Sequence, residues 1–179
     1  MEKKKEWLKL GYELVAKEGF EQLSINTIAR KMDKSKSSFY HYFGELENFK
    51  IELLEYHHQQ AQFFCTQIKE CEDINPGLIH LLLVYKLDMF FHKQVRINRN
   101  KSAYKKNIET VFELYEEVIL DKWAIFLDLG YHKIFLKKFN RFMAEHFFLS
   151  ITQDEYHLEW LTQYLNDIAE MISQIKNIR

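Results

Sequence analysis

A run of lysines and small hydroxyls, Lys34-Ser35-Lys36-Ser37-Ser38, leads directly into Phe39-Tyr40-His41-Tyr42-Phe43. Hydroxyls and flexible cations are the groups that reach base edges and phosphate oxygens, and an α-helix is the element that fits a major groove. A short helix beginning at Ser35 presents Lys34, Ser35, Lys36, Ser37 and Ser38 at its groove end. Tyr40, His41 and Tyr42 then offer groups to phosphates, while Phe39 and Phe43 hold the helix to a core.

Other residues suggest other chemistry. Glu55-x-x-His58 and Asp154-x-x-His157 each place a carboxylate and an imidazole one helical turn apart. Di-iron bundles use such pairs, together with further inward glutamates, so a helical di-metal enzyme is the competing class. A surface contact explains an i,i+3 pair more simply, and Asp154 also suits the first turn of a helix. Cys65 and Cys71 are six apart and, with His57 and His58, fall short of a zinc pattern. Lys93, Arg96, Arg99, Lys101, Lys105 and Lys106 form a cationic run without an acid between them. It fits DNA or an anionic ligand, but a solvated inter-helix surface is the commoner reading of such a run. No Gly-rich phosphate loop and no GxSxG element occurs, so the expectation is a protein that is not an enzyme and needs no cofactor.

The elements that must position these groups are helices. One proline and five glycines in 179 residues leave too few turn signals for an all-β fold. Apolar residues recur at intervals of three and four, which predicts helices over about 3–18, 25–32, 36–42, 46–70, 77–93, 102–128, 131–150 and 152–176. Ser24 and Ser35 read as N-caps, Gly19 as a helix stop, and Thr152-x-x-Glu155 as a capping box opening the last helix. The fold class is all-α with eight or nine helices: a three-helix head over residues 1–45 and a helical bundle over 46–179. Residues 1–44 carry nine basic and six acidic side chains, whereas the remainder carries 16 and 20. Any contact with nucleic acid therefore belongs to the head. The apolar run from Leu78 to Phe91 is interrupted by His80, Lys86 and Asp88 and is too short to span a membrane. The expectation is a soluble, cytoplasmic protein with reduced cysteines.

Two short helices joined by a tight turn, after a longer scaffold helix, describe a helix-turn-helix. The stretch Gly19-Phe20-x-x-Leu23-Ser24-x-x-x-Ile28-Ala29-Arg30, followed by Ser35-Lys36-x-Ser38-Phe39-Tyr40-x-Tyr42-Phe43, resembles the N-terminal domain of TetR-type transcriptional regulators over roughly residues 5–55. The resemblance implies a homodimer that binds an operator through the head and a small effector through the body. It points to Ser24, Thr27, Tyr40, Tyr42 and Lys50 as phosphate contacts beside the groove-facing run. Three positions depart from the family's pattern. Asp33 replaces the turn glycine, Lys34 an apolar turn residue, and Leu46 a lysine that anchors phosphate.

In the body, Leu158, Leu161, Leu165, Ile168, Ile172 and Ile175 alternate by three and four, as in a coiled-coil seam. Phe135, Phe139 and Phe142 make the preceding helix equally apolar. Two such helices from each of two subunits form an isologous four-helix bundle. An intramolecular bundle using both faces is the simpler alternative. The middle helices combine aromatics with a few polar groups, the composition of a small-molecule site. Gln60, Phe64, Tyr85, Asp88, Met89, His92, Phe112 and Tyr115 are the candidate lining. A filled core, with regulation through a protein partner instead, is the other possibility.

Overall fold

The computed structural model describes residues 2–130 and 132–177. All regular structure among these residues is helical: α1 (Glu2–Glu18), α2 (Ile25–Lys31), α3 (Lys36–Phe43), α4 (Leu46–Glu70), a wide turn over Ile74–Leu78, α5 (Ile79–Val84), α6 (Lys86–Ile97), α7 (Ser102–Phe126), α8 (Lys133–Ser150) and α9 (Leu158–Asn177). None of these is long and apolar enough to cross a membrane by itself.

Two compact units result. The first takes the chain up to Gln62 together with Leu87–Val111, and the second takes Phe63–Lys86 together with the chain from Phe112 onward. In the first, α1 to α3 share a core with the start of α4 and with α6, built on Trp7, Val15, Ile28, Phe39, Phe49, Leu53 and Phe91. Helix α1 tolerates Gly11 in its interior because a β-carbon there would lie 2.4 Å from the Phe49 ring. The second unit has its own fully buried set, including Ile74, Ile79, Leu136, Ile151 and Leu161.

Two helix boundaries differ from the sequence expectation. The helix predicted over 77–93 breaks at Tyr85, whose φ and ψ are −93° and 25°. Just past the break, the Lys86 ammonium donates to the carbonyls of Gln153 and Tyr156 at 3.2 and 3.3 Å and covers the Tyr156 ring. The last helix begins at Leu158 rather than Thr152. The Thr152–Glu155 pair does form, with the Glu155 N–H donating to the Thr152 hydroxyl at 3.2 Å, but it closes a turn. The cap itself is His157, whose Nδ1 accepts from the Trp160 N–H at 3.3 Å.

Candidate nucleic-acid interface

The head's second helix is fixed at both ends by hydrogen bonds that its sequence provides. Ser24 Oγ accepts from the Thr27 N–H at 3.1 Å and its own hydroxyl donates to Thr27 Oγ1 at 2.9 Å. Ile28 and Ala29 turn inward. Beyond Lys31 the chain reverses with Asp33 at φ 51°, and the Lys34 N–H donates to the Ala29 carbonyl at 3.0 Å. This six-to-one bond is how a left-handed residue closes a helix. The aspartate thus does the geometric work expected of a glycine.

Helix α3 starts on Ser35, whose Oγ accepts from the Ser38 N–H at 3.3 Å. Phe39 and Phe43 are buried, and the Phe39 ring meets Trp7 and Phe49 at 5.6 and 5.1 Å. With that anchor, helical geometry turns the intervening residues outward. Lys34, Ser35, Lys36, Ser37, Tyr40 and His41 are exposed, and Ser24, Thr27, Ser38 and Tyr42 are half-buried. Gly44 ends the helix at φ 69°, and Asn48 Nδ2 donates to the Phe43 carbonyl at 3.2 Å. The predicted contact residues therefore form an outward rim on a rigid support. Lys50 is the member with a prior commitment: its ammonium lies 2.6 Å from Glu47 Oε1.

The candidate effector-lining residues fall in different units. Phe64, Tyr85, Phe112 and Tyr115 belong to the second unit, where the Phe64 ring lies 4.8 Å from Tyr85 and 5.7 Å from Tyr115. Arg141 covers Phe112 at 5.0 Å. Gln60, Asp88, Met89 and His92 belong to the first unit. There, Asp88 and His92 are tied up in a buried chain with Tyr12, which the sequence did not single out, and with His57, which it weighed only as part of an incomplete zinc pattern. The Tyr12 hydroxyl donates to Asp88 at 2.9 Å and lies 2.7 Å from His57 Nδ1, and His57 Nε2 lies 3.0 Å from His92 Nδ1. Because the tyrosine proton goes to Asp88, His57 Nδ1–H donates to the hydroxyl oxygen and His92 Nδ1–H donates to His57 Nε2. Burial, then His58, pulls His57 down to about 3. His92 is lowered by burial, then by His57 and Arg96. Burial raises the Asp88 carboxyl, partly offset by its bond from Tyr12. A separate open groove of about 610 Å³ lies between α4 and α7 within the first unit, and Glu55, His58, Lys106 and Asn107 are among its lining.

The expected dimer residues also divide. Phe135, Phe142 and Leu158 are exposed, but Phe139, Leu161, Leu165, Ile168 and Ile172 are buried inside the single chain. Those four α9 residues fill the core of the second unit instead of facing outward, while Leu158 and Ile175, at the two ends of the same seam, stay exposed. The apolar face left open on α8 comprises Ile134, Phe135, Phe142 and Leu149. Of the pairs weighed for metal chemistry, Glu55 and His58 share the groove, while His157 is taken up as the cap of α9. No group of three His, Cys, Asp or Glu side chains that could hold a metal occurs among the described residues. Burial pushes the Cys65 thiol up to about 12.

Residues 8–47 match the family model described as bacterial regulatory proteins, tetR family. Among solved structures, a Rhodococcus sp. protein assigned to the TetR family of transcriptional regulators is similar to this chain with a TM-score of 0.57. It is 13% identical, and the match covers 94% of this chain and 97% of that one. At that identity the likeness speaks for the fold. No curated protein matches.

Proposed function

We propose that this chain, which carries the DNA-binding head of the tetR family over residues 8–47, is a homodimeric cytoplasmic repressor. It reads a pseudo-palindromic operator and releases it when a small apolar or amphipathic effector binds the body. The observation that carries this reading is α3: a polar, exposed N-terminal rim held by two buried phenylalanines. Lys36, Ser37 and Ser38 meet base edges, and Lys34, Tyr40, His41 and Tyr42 meet phosphates. Ser24 and Thr27 bring the start of α2 to the backbone, and Lys50, partly neutralised by Glu47, is the one cation that the first two turns of α4 offer there.

Two heads must sit about 34–36 Å apart to enter successive major grooves on one face of B-DNA. An effector lowers affinity only if it binds another head spacing better than this one. The aromatic cluster of Phe64, Tyr85 and Tyr115 in the second unit is the wall we assign to that effector. Exposed Phe135 and Phe142 on α8 are the centre of the dimer contact, so the two-fold axis runs beside that helix.

The test is fluorescence anisotropy of the full chain with its own upstream DNA at two salt concentrations, against random duplex. Specific binding tighter by a factor of about 10³ or more is expected. Lys36→Ala should weaken it and relax base preference, and Lys34→Gln should weaken it and lower the salt slope by about 1 for the phosphate no longer neutralised. Equal, weak binding to both DNAs and to sequences selected from random pools would sink the reading.

A further inference from the structure

The cationic run over residues 93–106 has no part in the rim of α2 and α3, yet it decides the charge of the unit that holds them. The first unit carries sixteen basic and twelve acidic side chains, a net +4. Six of the sixteen come from Lys93 to Lys106, a segment without an acid, and without them the unit would be net negative. That segment is the end of α6 and the first turns of α7.

Three contacts place it beside the head. Tyr104 is buried with its ring 4.9 Å from Phe20, in the loop that leads to the Ser24 cap of α2. The same tyrosine lies close enough to Glu47, in the first turn of α4, to feel its charge. Three residues on, Asn107 Nδ2 donates to the Leu54 carbonyl at 2.9 Å. The start of α7 is thereby packed against the loop that leads into α2 and along the first three turns of α4, the two helices whose first turns face the duplex in the proposed complex. Tyr104 and Asn107 point inward, while Lys101, Lys105 and Lys106 are exposed. Lys101 stands over the Tyr104 ring, with its ammonium 5.4 Å from the centroid. Meanwhile the first turn of α4 offers little positive charge, because Leu46 is apolar and Lys50 is held by Glu47.

We infer that the α6–α7 corner is a second DNA-backbone contact, in which Lys101 and Lys105, supported by Lys106, bind phosphates flanking the bases that α3 reads. The corner supplies the charge that α4 lacks. Such contacts carry no sequence information; they add affinity and fix register. The inference rests on the DNA-binding reading of the head, and the experiment separates the two.

The full-length chain is titrated with a labelled random-sequence duplex, several helical turns long, over a series of salt concentrations. Lys101→Gln with Lys105→Gln should weaken binding several-fold at low salt and flatten the log–log salt slope by about 0.9 for each phosphate left without its cation. Lys105→Arg should keep the slope. Lys69→Gln with Lys133→Gln removes the same charge from exposed positions of the second unit and should leave the slope unchanged. If the corner pair leaves the slope intact while Lys34→Gln with Lys36→Gln lowers it, the corner contact is wrong and the head reading stands. If the second-unit pair flattens the slope equally, the effect is overall charge, and the corner is again wrong. A flatter slope from the corner pair with no change from Lys34→Gln with Lys36→Gln would overturn the head reading instead.

Discussion

Gly11 sits in the middle of α1, where helix propensity favours alanine by about 1 kcal/mol. The site reverses that preference, because a β-carbon would approach the buried Phe49 ring to 2.4 Å. Phe49 is wedged against Phe39 and Phe43 at 5.1 and 4.7 Å, so it has nowhere to go. Gly11→Ala should therefore destabilise by roughly 1–3 kcal/mol, an overpacking cost, read from urea midpoints. A neutral or stabilising result would mean that the ring moves freely. This requirement was not legible in the sequence, since nothing local to a mid-helix glycine says which ring faces it. Asp33 was the opposite case. Its place in a tight turn, and the ability of aspartate to take a left-handed conformation, made φ 51° foreseeable. The outward placing of the run from Lys34 to Ser38 was legible for a related reason: Phe39 and Phe43 fix which side is inward, and the rest follows from helical geometry.

Helices α1, α4 and α6 are joined inside the first unit by the Tyr12, His57, His92 and Asp88 chain, and its protonation sets the acid limit of that packing. His57 and His92 stay neutral when folded but take protons near their ordinary value, about 6.5, when unfolded. Their stabilising contribution is complete above that pH and is lost as pH falls from 6.5 toward 3. Asp88 acts in the opposite sense: its raised value adds stability as it protonates, which offsets part of the loss. Two histidines against one carboxyl leave a net loss of stability as pH falls below about 6.5. Chemical denaturation at pH 7 and pH 5.5 should show it, and His57→Gln should show a flatter difference from a lower starting point. An equal drop in that variant would put the acid sensitivity elsewhere. The helices themselves were readable from their period of three and four. The breaks were not, because Tyr85 carries no glycine or proline signal and the capping box at Thr152 served a turn instead.

For the whole molecule, what matters is which apolar surface remains after the chain has packed on itself. A heptad in α9 cannot say whether its partner helix belongs to the same subunit. Four of the six α9 seam residues, Leu161, Leu165, Ile168 and Ile172, are consumed internally, while Leu158 and Ile175 stay exposed. Phe135, Phe142 and Leu149 recur every seven residues along α8 and stay exposed, so one stripe is available to a second copy. Phe142→Glu should give monomers in sedimentation at concentrations where the parent chain is a dimer, and should weaken operator binding by removing the second head. A dimer that survives the substitution would move the interface to another face.

The three tryptophans divide between the units in a way that makes the protein its own optical probe. Trp7 is sealed against Phe39 in the first unit. In the second, Trp123 donates to Asn140 Oδ1 at 3.2 Å, and Trp160 lies half-exposed over the Tyr164 ring. A sealed indole emits to the blue of a wetted one, so replacing Trp7 by Phe leaves emission from the body alone. Comparing its melting trace with that of the parent chain would tell whether the two units unfold in one step or two.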